Sequence, residues 1–221
     1  MELYHLHLLG NHDYLYKPNK EFIIDPDKFN NRIYKRIYDM NTTVNSSDFK
    51  DIVDELNHLL SIYGMGGFGD RINPGELIEY VLKRGCSQEE LINLLKASKE
   101  IILSEGINLR ETAMEEYRRI NTPNIPSRLH SLFACSEEGI NFWLSQIRDN
   151  DLDIYRLDVM EEPFVSNESL LPYEELSYGE KVKASYNYFH PKKKDLDDST
   201  NEYLVQGKLR ILEKVGEVRS K

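Results

Sequence analysis

The chain has 221 residues, a formal net charge of −10 and 40% hydrophobic residues. That is enough apolar material for one substantial core, and acidic residues spread along the chain exclude a general nucleic-acid binder, though not a specific nucleic-acid substrate. Cys86 and Cys135 stand alone without metal-type spacing, and no apolar run approaches the roughly 18–20 residues of a membrane span. The expectation is a soluble, cytoplasmic protein with no leader, no disulfide and no zinc.

From the amino terminus, Glu2-Leu3-Tyr4-His5-Leu6-His7-Leu8-Leu9 alternates at period two. This predicts a strand with Leu3, His5, His7 and Leu9 on one face and Tyr4, Leu6 and Leu8 on the other. Asn11-His12-Asp13 and Lys17-Pro18-Asn19-Lys20 read as loops before a short strand at Phe22-Ile23-Ile24. His5, His7 and His12 are close enough in sequence to suggest a metal, but no further ligand has helical spacing, and no metal is expected.

From residue 46 the period lengthens. Ile52, Leu56, Leu59, Leu60 and Tyr63 follow a helical rhythm that Ser47 or Asp48 can cap and that Gly64, Gly66 and Gly67 end. The glycine cluster lacks the preceding strand and the Lys-Ser/Thr of a phosphate loop, so it reads as a helix connection. Helices over 74–83, 87–103 and 109–120 complete a helical block, the second opening on the capping box Ser87-Gln88-Glu89-Glu90.

Pro126 bars a helix before Ser127-Arg128-Leu129-His130-Ser131-Leu132-Phe133-Ala134, and Ser136-Glu137-Glu138 opens an amphipathic run after it. A strand running into a helix is expected, with Arg128, His130, Ser131 and Phe133 on the strand and Trp143, the sole tryptophan, returning toward it. Such a polar strand end facing an aromatic makes a floor for a planar ligand; Phe133 and Trp143 are also the kind of residue that fills a core. Asp153 to Val159 alternates as a strand, the tyrosine-rich stretch 173–188 is helical at best in part, and 190–201 is a charged loop. Strands at Glu202-Tyr203-Leu204-Val205-Gln206 and over 208–215 follow, with Gly207 a turn or bulge between them.

Three of these features together resemble the ADP-ribosyltransferase fold in its diphtheria-toxin-like form, whose motifs are His, Tyr and Glu. They are the histidine of Tyr4-His5-Leu6, the strand ending Ser131-Leu132-Phe133 with an aromatic ten positions on, and the late strand opening Glu202-x-Leu-Val-x-Gly. The string Pro126-Ser-Arg-Leu-x-Ser-Leu-Phe is also similar to bacterial and phage domains linked to that fold. The resemblance covers roughly residues 1–14 and 125 onward. It implies an α+β fold, a split pair of antiparallel sheets holding NAD in the cleft between them, within one domain over 1–221 that carries a helical insertion at about 46–120.

By that resemblance His5, or His7 on the same face, contacts a ribose hydroxyl, with His5 favoured by the Tyr-His-Leu motif. Ser131 belongs to the cofactor-binding motif, Phe133 and Trp143 stack on nicotinamide, and Glu202 is the catalytic carboxylate beside the nicotinamide ribose. Arg128 either pairs with the NAD phosphates or caps the preceding helix. Two departures stand out: Phe133 occupies the usual tyrosine position, and Thr200 replaces the Gln or Glu that accompanies arginine or asparagine modification.

The implied chemistry is sound on its own terms. Cleaving the nicotinamide–ribose bond develops positive charge on the sugar, which one carboxylate can stabilise, and nicotinamide leaves as a neutral base without a general acid. The functional expectation is an NAD-dependent mono-ADP-ribosyltransferase, in a toxin or phage–host setting, acting on a protein or nucleic-acid acceptor contacted through Lys192, Lys193 and Lys194. The alternatives are a catalytically silent binding or inhibitor protein of the same fold and an NAD glycohydrolase; Glu202 as a plain edge-strand residue is the structural one.

Overall fold

A computed structural model describes residues 1–9, 15–31, 33–34, 106–147 and 151–219. The helices expected over 46–103, the glycine cluster at 64–69, Asn11, His12, Asp13 and Cys86 lie outside the described residues. The chain divides into two compact units, Met1–Lys35 with Leu109–Lys221 and Arg36–Asn108. All the described strands belong to the first, as does the helix expected over 109–120.

The fold is α+β. Among the described residues seven strands form two antiparallel sheets. The larger is ordered β1 (Glu2–Leu8), β4 (Leu152–Val159), β7 (Gly207–Val218), β2 (Glu21–Ile24), and the smaller β3 (Leu132–Ala134), β6 (Asn201–Val205), β5 (Phe164–Asn167). Helix α1 is described over 106–121, α2 spans Ile140–Gln146 and α3 spans Tyr178–Phe189. No helix among the described residues is long and apolar enough to cross a membrane.

Period-two alternation decides which sheet faces meet. Leu3 from β1, Leu157 from β4 and Leu209 and Ile211 from β7 are buried in one cluster with Leu132, Ala134, Tyr203 and Val205 of the smaller sheet. Because neighbours on a strand point to opposite faces, Phe133, Glu202 and Leu204 project from the other face of that smaller sheet. There a second cluster forms from Met114 of α1 and Tyr188 and Phe189 of α3, with Phe164 packed against it. β6 is central and buried at all five positions.

The two sheets are joined at a seam and at a corner. Tyr4 and Cys135 exchange both backbone hydrogen bonds at 2.8 Å, which ties β1 to the residue after β3. Burial pushes the Cys135 thiol up to about 12, so it acts as a packing residue. At the corner the chain leaves β6 in the smaller sheet and enters β7 in the larger through Gly207, at φ +77.

The strand expected through Arg128 and Ser131 is shorter than its alternation suggested. Only Leu132–Ala134 pairs, with β6, whereas residues 127–131 form a turn in which the Ser131 hydroxyl donates to the Ser127 carbonyl at 2.6 Å. Serine side chains that bond the local backbone compete with a strand ladder, and they prevail here. His130 accordingly sits in the turn, its Nδ1 3.1 Å from the Phe29 carbonyl, instead of on a strand.

Two elements go beyond what the sequence pattern predicts. Helix α3 is continuous because Ser177 and Glu180 close its first turn, the Glu180 carboxylate accepting from the Ser177 amide at 2.9 Å and hydroxyl at 2.6 Å. β5 has no alternation of its own and is a strand because β6 offers it a partner.

A side chain at Gly207 would force a non-glycine residue to positive φ and bring its Cβ onto the Glu161 carboxylate. The Glu161 side chain can swing away; the backbone strain cannot. Gly207→Ala should therefore lose about 1–3 kcal/mol of stability in urea denaturation. A wild-type midpoint would show that the corner tolerates a right-handed backbone.

Candidate active site

The turn before β3, helices α1 and α3 and strand β6 bring four polar side chains into one buried cluster. Arg128 Nε donates to Glu111 Oε2 at 2.7 Å, and Nη2 reaches Glu111 Oε1 at 3.3 Å. Arg128 Nη1 donates to the Tyr188 hydroxyl at 2.8 Å and to Glu202 Oε1, and the Tyr188 hydroxyl donates to that same Glu202 oxygen. The guanidinium carbon lies 5.1 Å from the Phe133 ring centre and 4.9 Å from that of Tyr188, so a planar cation lies over two aromatic rings. Arg110 flanks the cluster, its Nη2 3.2 Å from Glu111 Oε1.

Local structure explains each position. Glu111 and Met114 are spaced i, i+3 on the buried side of α1, and Lys181, Ser185, Tyr188 and Phe189 make the buried stripe of α3. Glu202 shares a sheet face with Phe133, because Phe133 pairs with Leu204 two residues along β6. The turn holding Arg128 is fixed from outside: the Asn31 side-chain amide donates to the carbonyls of Arg128 and, at 3.0 Å, Ser131, and the Ser127 hydroxyl donates to Glu115 at 2.7 Å.

Burial raises the Glu202 carboxyl above its ordinary value, and Arg128 and the Tyr188 hydroxyl offset part of that. Burial acts the same way on Glu111, but Arg128 and Arg110 outweigh it and hold Glu111 below its ordinary value. The two carboxylates are thus distinct: Glu111 is the fixed counter-ion, and Glu202 is the one closer to taking a proton. Burial opposes the charge on Arg128 as well, yet Glu111 and Glu202 keep it protonated.

The histidines occupy a different environment. His5 Nδ1 lies 2.7 Å from the Phe133 carbonyl and its Nε2 3.0 Å from the Tyr16 hydroxyl. The carbonyl can only accept, so Nδ1 carries the proton and Nε2 accepts from Tyr16. His7 stacks on the Tyr16 ring at 3.8 Å. Tyr16 belongs to the core between the two sheets, whereas Glu202 projects from the opposite face of the smaller sheet. His5 meets the strand of Phe133 through main chain, on the side away from Glu202. Among the described residues no group of three or more His, Cys, Asp or Glu is placed to hold a metal ion.

The other candidates separate further. Trp143 stands on α2, edge-on to Phe142, and its Nε1 donates to the Asn201 carbonyl at 3.1 Å, next to Glu202 in sequence. Ser131 is fully buried and committed to the turn. Lys192, Lys193 and Lys194 are exposed beyond α3. The structure therefore brings together Arg128, Phe133 and Glu202, and adds two residues that sequence reasoning missed, Glu111 and Tyr188. Glu111 left one signal, a carboxylate on the apolar stripe of a helix; Tyr188 left none among so many tyrosines.

Over residues 3–217 the sequence matches a family described as a protein of unknown function, DUF2441. The chain belongs to the DUF2441 family. No curated protein matches it.

Two pH-dependent outcomes follow from the geometry. Glu111 titrates below its ordinary value when folded, so its contribution to stability is present above the unfolded value and lost as the pH falls through the folded one. Glu111→Gln should cost about 3–5 kcal/mol near neutrality by leaving Arg128 short of a partner, and the difference from wild type should narrow below the ordinary glutamate value of 4.5. Urea melts across a pH series check both.

His5 behaves in the same sense for a different reason. Burial, opposed by the Phe133 hydrogen bond and helped by His7, lowers it to about 4 from 6.5. The neutral ring stabilises the fold above 6.5, and that stability is lost as the pH drops from there to about 4. His5→Asn should show a smaller loss than wild type across this window in the same melts; an unchanged slope would mean that the fold does not hold the His5 ring neutral.

Proposed function

We propose that this protein is an NAD-dependent mono-ADP-ribosyltransferase of the diphtheria-toxin-like kind, built on a split two-sheet core and acting on NAD and a macromolecular acceptor, protein or nucleic acid, in the cytoplasm. The observation that supports it is the contiguity of the three motif-bearing strands. β1 bridges to the end of β3, and β3 pairs with β6, so His5, Phe133 and Glu202 come from one continuous neighbourhood although they lie far apart in sequence.

In this role Glu202 stabilises the positive charge that develops on the ribose as the bond to nicotinamide breaks. Nicotinamide departs as a neutral base with the bonding pair, and the acceptor nucleophile bonds to the anomeric carbon and gives up a proton. The Phe133 and Tyr188 rings, which now lie against the planar guanidinium of Arg128, offer aromatic faces of the kind that suit a planar cationic nicotinamide. Arg128 would have to withdraw for the substrate to enter. His5 would serve the ribose from the seam, and Lys192, Lys193 and Lys194 the acceptor.

One observation favours a second role, that of a catalytically silent member of the same fold acting by binding alone. Glu202 is 5% exposed, its Oε1 is paired with Arg128 and Tyr188, and it leaves the smaller sheet on the face opposite His5.

Incubation with NAD labelled in the adenine moiety, with and without lysate, separates the two. As a transferase, the wild-type protein attaches label to acceptor, and Glu202→Gln abolishes turnover by at least 100-fold while NAD affinity, read from Trp143 fluorescence, changes only a few-fold, because the charge it stabilises exists only in the transition state. Label left as free ADP-ribose would identify a glycohydrolase. No turnover by a wild-type protein that melts normally would leave the silent role.

A further inference from the structure

The buried and exposed sides of α3 have different chemistry. Lys181, Ser185, Tyr188 and Phe189 face inward, while Lys183 at mid-helix and Tyr186, Asn187 and His190 toward the carboxyl end are exposed. Tyr186 is 54% exposed, and its ring stacks on that of His190 with centroids 4.4 Å apart and planes 17° apart. The His190 ring is held by its own Nδ1, 3.0 Å from the Tyr186 carbonyl, and Tyr117 of α1 meets it edge-on at 6.3 Å. This is a flat aromatic step, fixed in orientation and open to solvent.

The charge around it runs against the rest of the molecule. In a chain of net charge −10, residues 181–194 contain five lysines and no acidic residue. Lys181 is buried, its ammonium donating to the Glu174 carbonyl at 2.6 Å, but Lys183, Lys192, Lys193 and Lys194 are exposed. Asp195, next after the lysines, accepts from the Lys192 amide at 3.2 Å, and the acidic contacts of the helix itself lie at its other end, where Tyr178 donates to Glu116 and Glu180 closes the first turn. An exposed stacked pair with four exposed lysines within four residues of it in sequence is more than a solvated charged loop: cations alone suit any polyanion, whereas exposed aromatic faces add recognition of planar bases that are not already stacked on each other.

We propose that this surface binds single-stranded nucleic acid, with Tyr186 and His190 stacking on unpaired bases and Lys183, Lys192, Lys193 and Lys194 following the phosphates. As an acceptor site it rests on the transferase role of Glu202. As a binding surface it is tested without NAD, so the two can fail separately.

The test is fluorescence anisotropy of the full chain with a labelled oligothymidylate, an oligouridylate of equal length, a DNA duplex and a labelled polyglutamate. Both single strands, or one of them, should bind more tightly than the duplex, and the pair tells DNA from RNA. With four lysines on phosphates the plot of log K against log salt should have a slope of about −3 for single strands. Neutralising Lys192, Lys193 and Lys194 together to Ala should flatten that slope by about 2. Tyr186→Ala should weaken binding roughly 5-fold to 100-fold, and Tyr186→Phe should restore it. All these side chains are exposed, so thermal melts should match wild type.

Absence of single-strand binding at low salt would overturn the proposal. So would wild-type affinity in both the lysine and Tyr186→Ala variants, equal affinity for duplex with no effect of Tyr186→Ala, or binding of polyglutamate alone.

Discussion

The charge on Arg128 is the constraint on which the first unit depends. A guanidinium this deeply buried is tolerable only if its donors are met, and the partners come from three separate elements: Glu111 from α1, Tyr188 from α3 and Glu202 from β6. Each partner therefore has to arrive with its helix or strand in register. Asn31 and Ser127 hold the turn itself by main-chain and carboxylate contacts, which fixes the origin of the Arg128 side chain before its tip is paired. A cluster of this kind contributes less to net stability than to uniqueness, because removing any one member leaves a buried charge while alternative packings cannot satisfy it.

The sheets are arranged so that this cluster and the hydrophobic core occupy opposite faces of the smaller one. Leu132, Ala134, Tyr203 and Val205 are spent on the core with the larger sheet, and strict alternation sends Phe133, Glu202 and Leu204 to the helices. β3 is the meeting point. Its main chain accepts from His5 on one side and its Phe133 ring receives Arg128 on the other. Any ligand chemistry that uses both His5 and Glu202 has to work around this strand and displace Arg128 from Glu202.

Helix α3 connects the interior to the outer surface. Tyr188 contacts Glu202 from its inner side, while Tyr186 and His190 form the exposed step two residues to either side of it. The two sides follow from helical periodicity, which places residues two apart on nearly opposite faces. The tyrosine of the buried cluster and the exposed aromatic step are thus carried by one element.

Strand existence was legible in the amino-acid sequence wherever alternation was long or bounded by turn residues: β1, β2, β4, β6 and β7 all read correctly, and Gly207 was recognised as the break between the last two. Helix α1 was legible in its period, and the α+β class that the resemblance implied is the class the structure has. The strand through Arg128 and Ser131 was misread because serine hydroxyls closing a turn on their own backbone leave the same apolar alternation as a strand. β5 was invisible because four residues have no pattern, and only pairing with β6 makes them a strand. The candidate carboxylate, Glu202, could be singled out by motif, yet its partners could not. Glu111 and Tyr188 reach Arg128 across 17 and 60 residues of sequence, and that convergence depends on how two helices pack over one sheet face. Local sequence determines periodicity and turn chemistry; the pairing of a buried charge is set by tertiary packing, since desolvation acts only once the chain has closed around it.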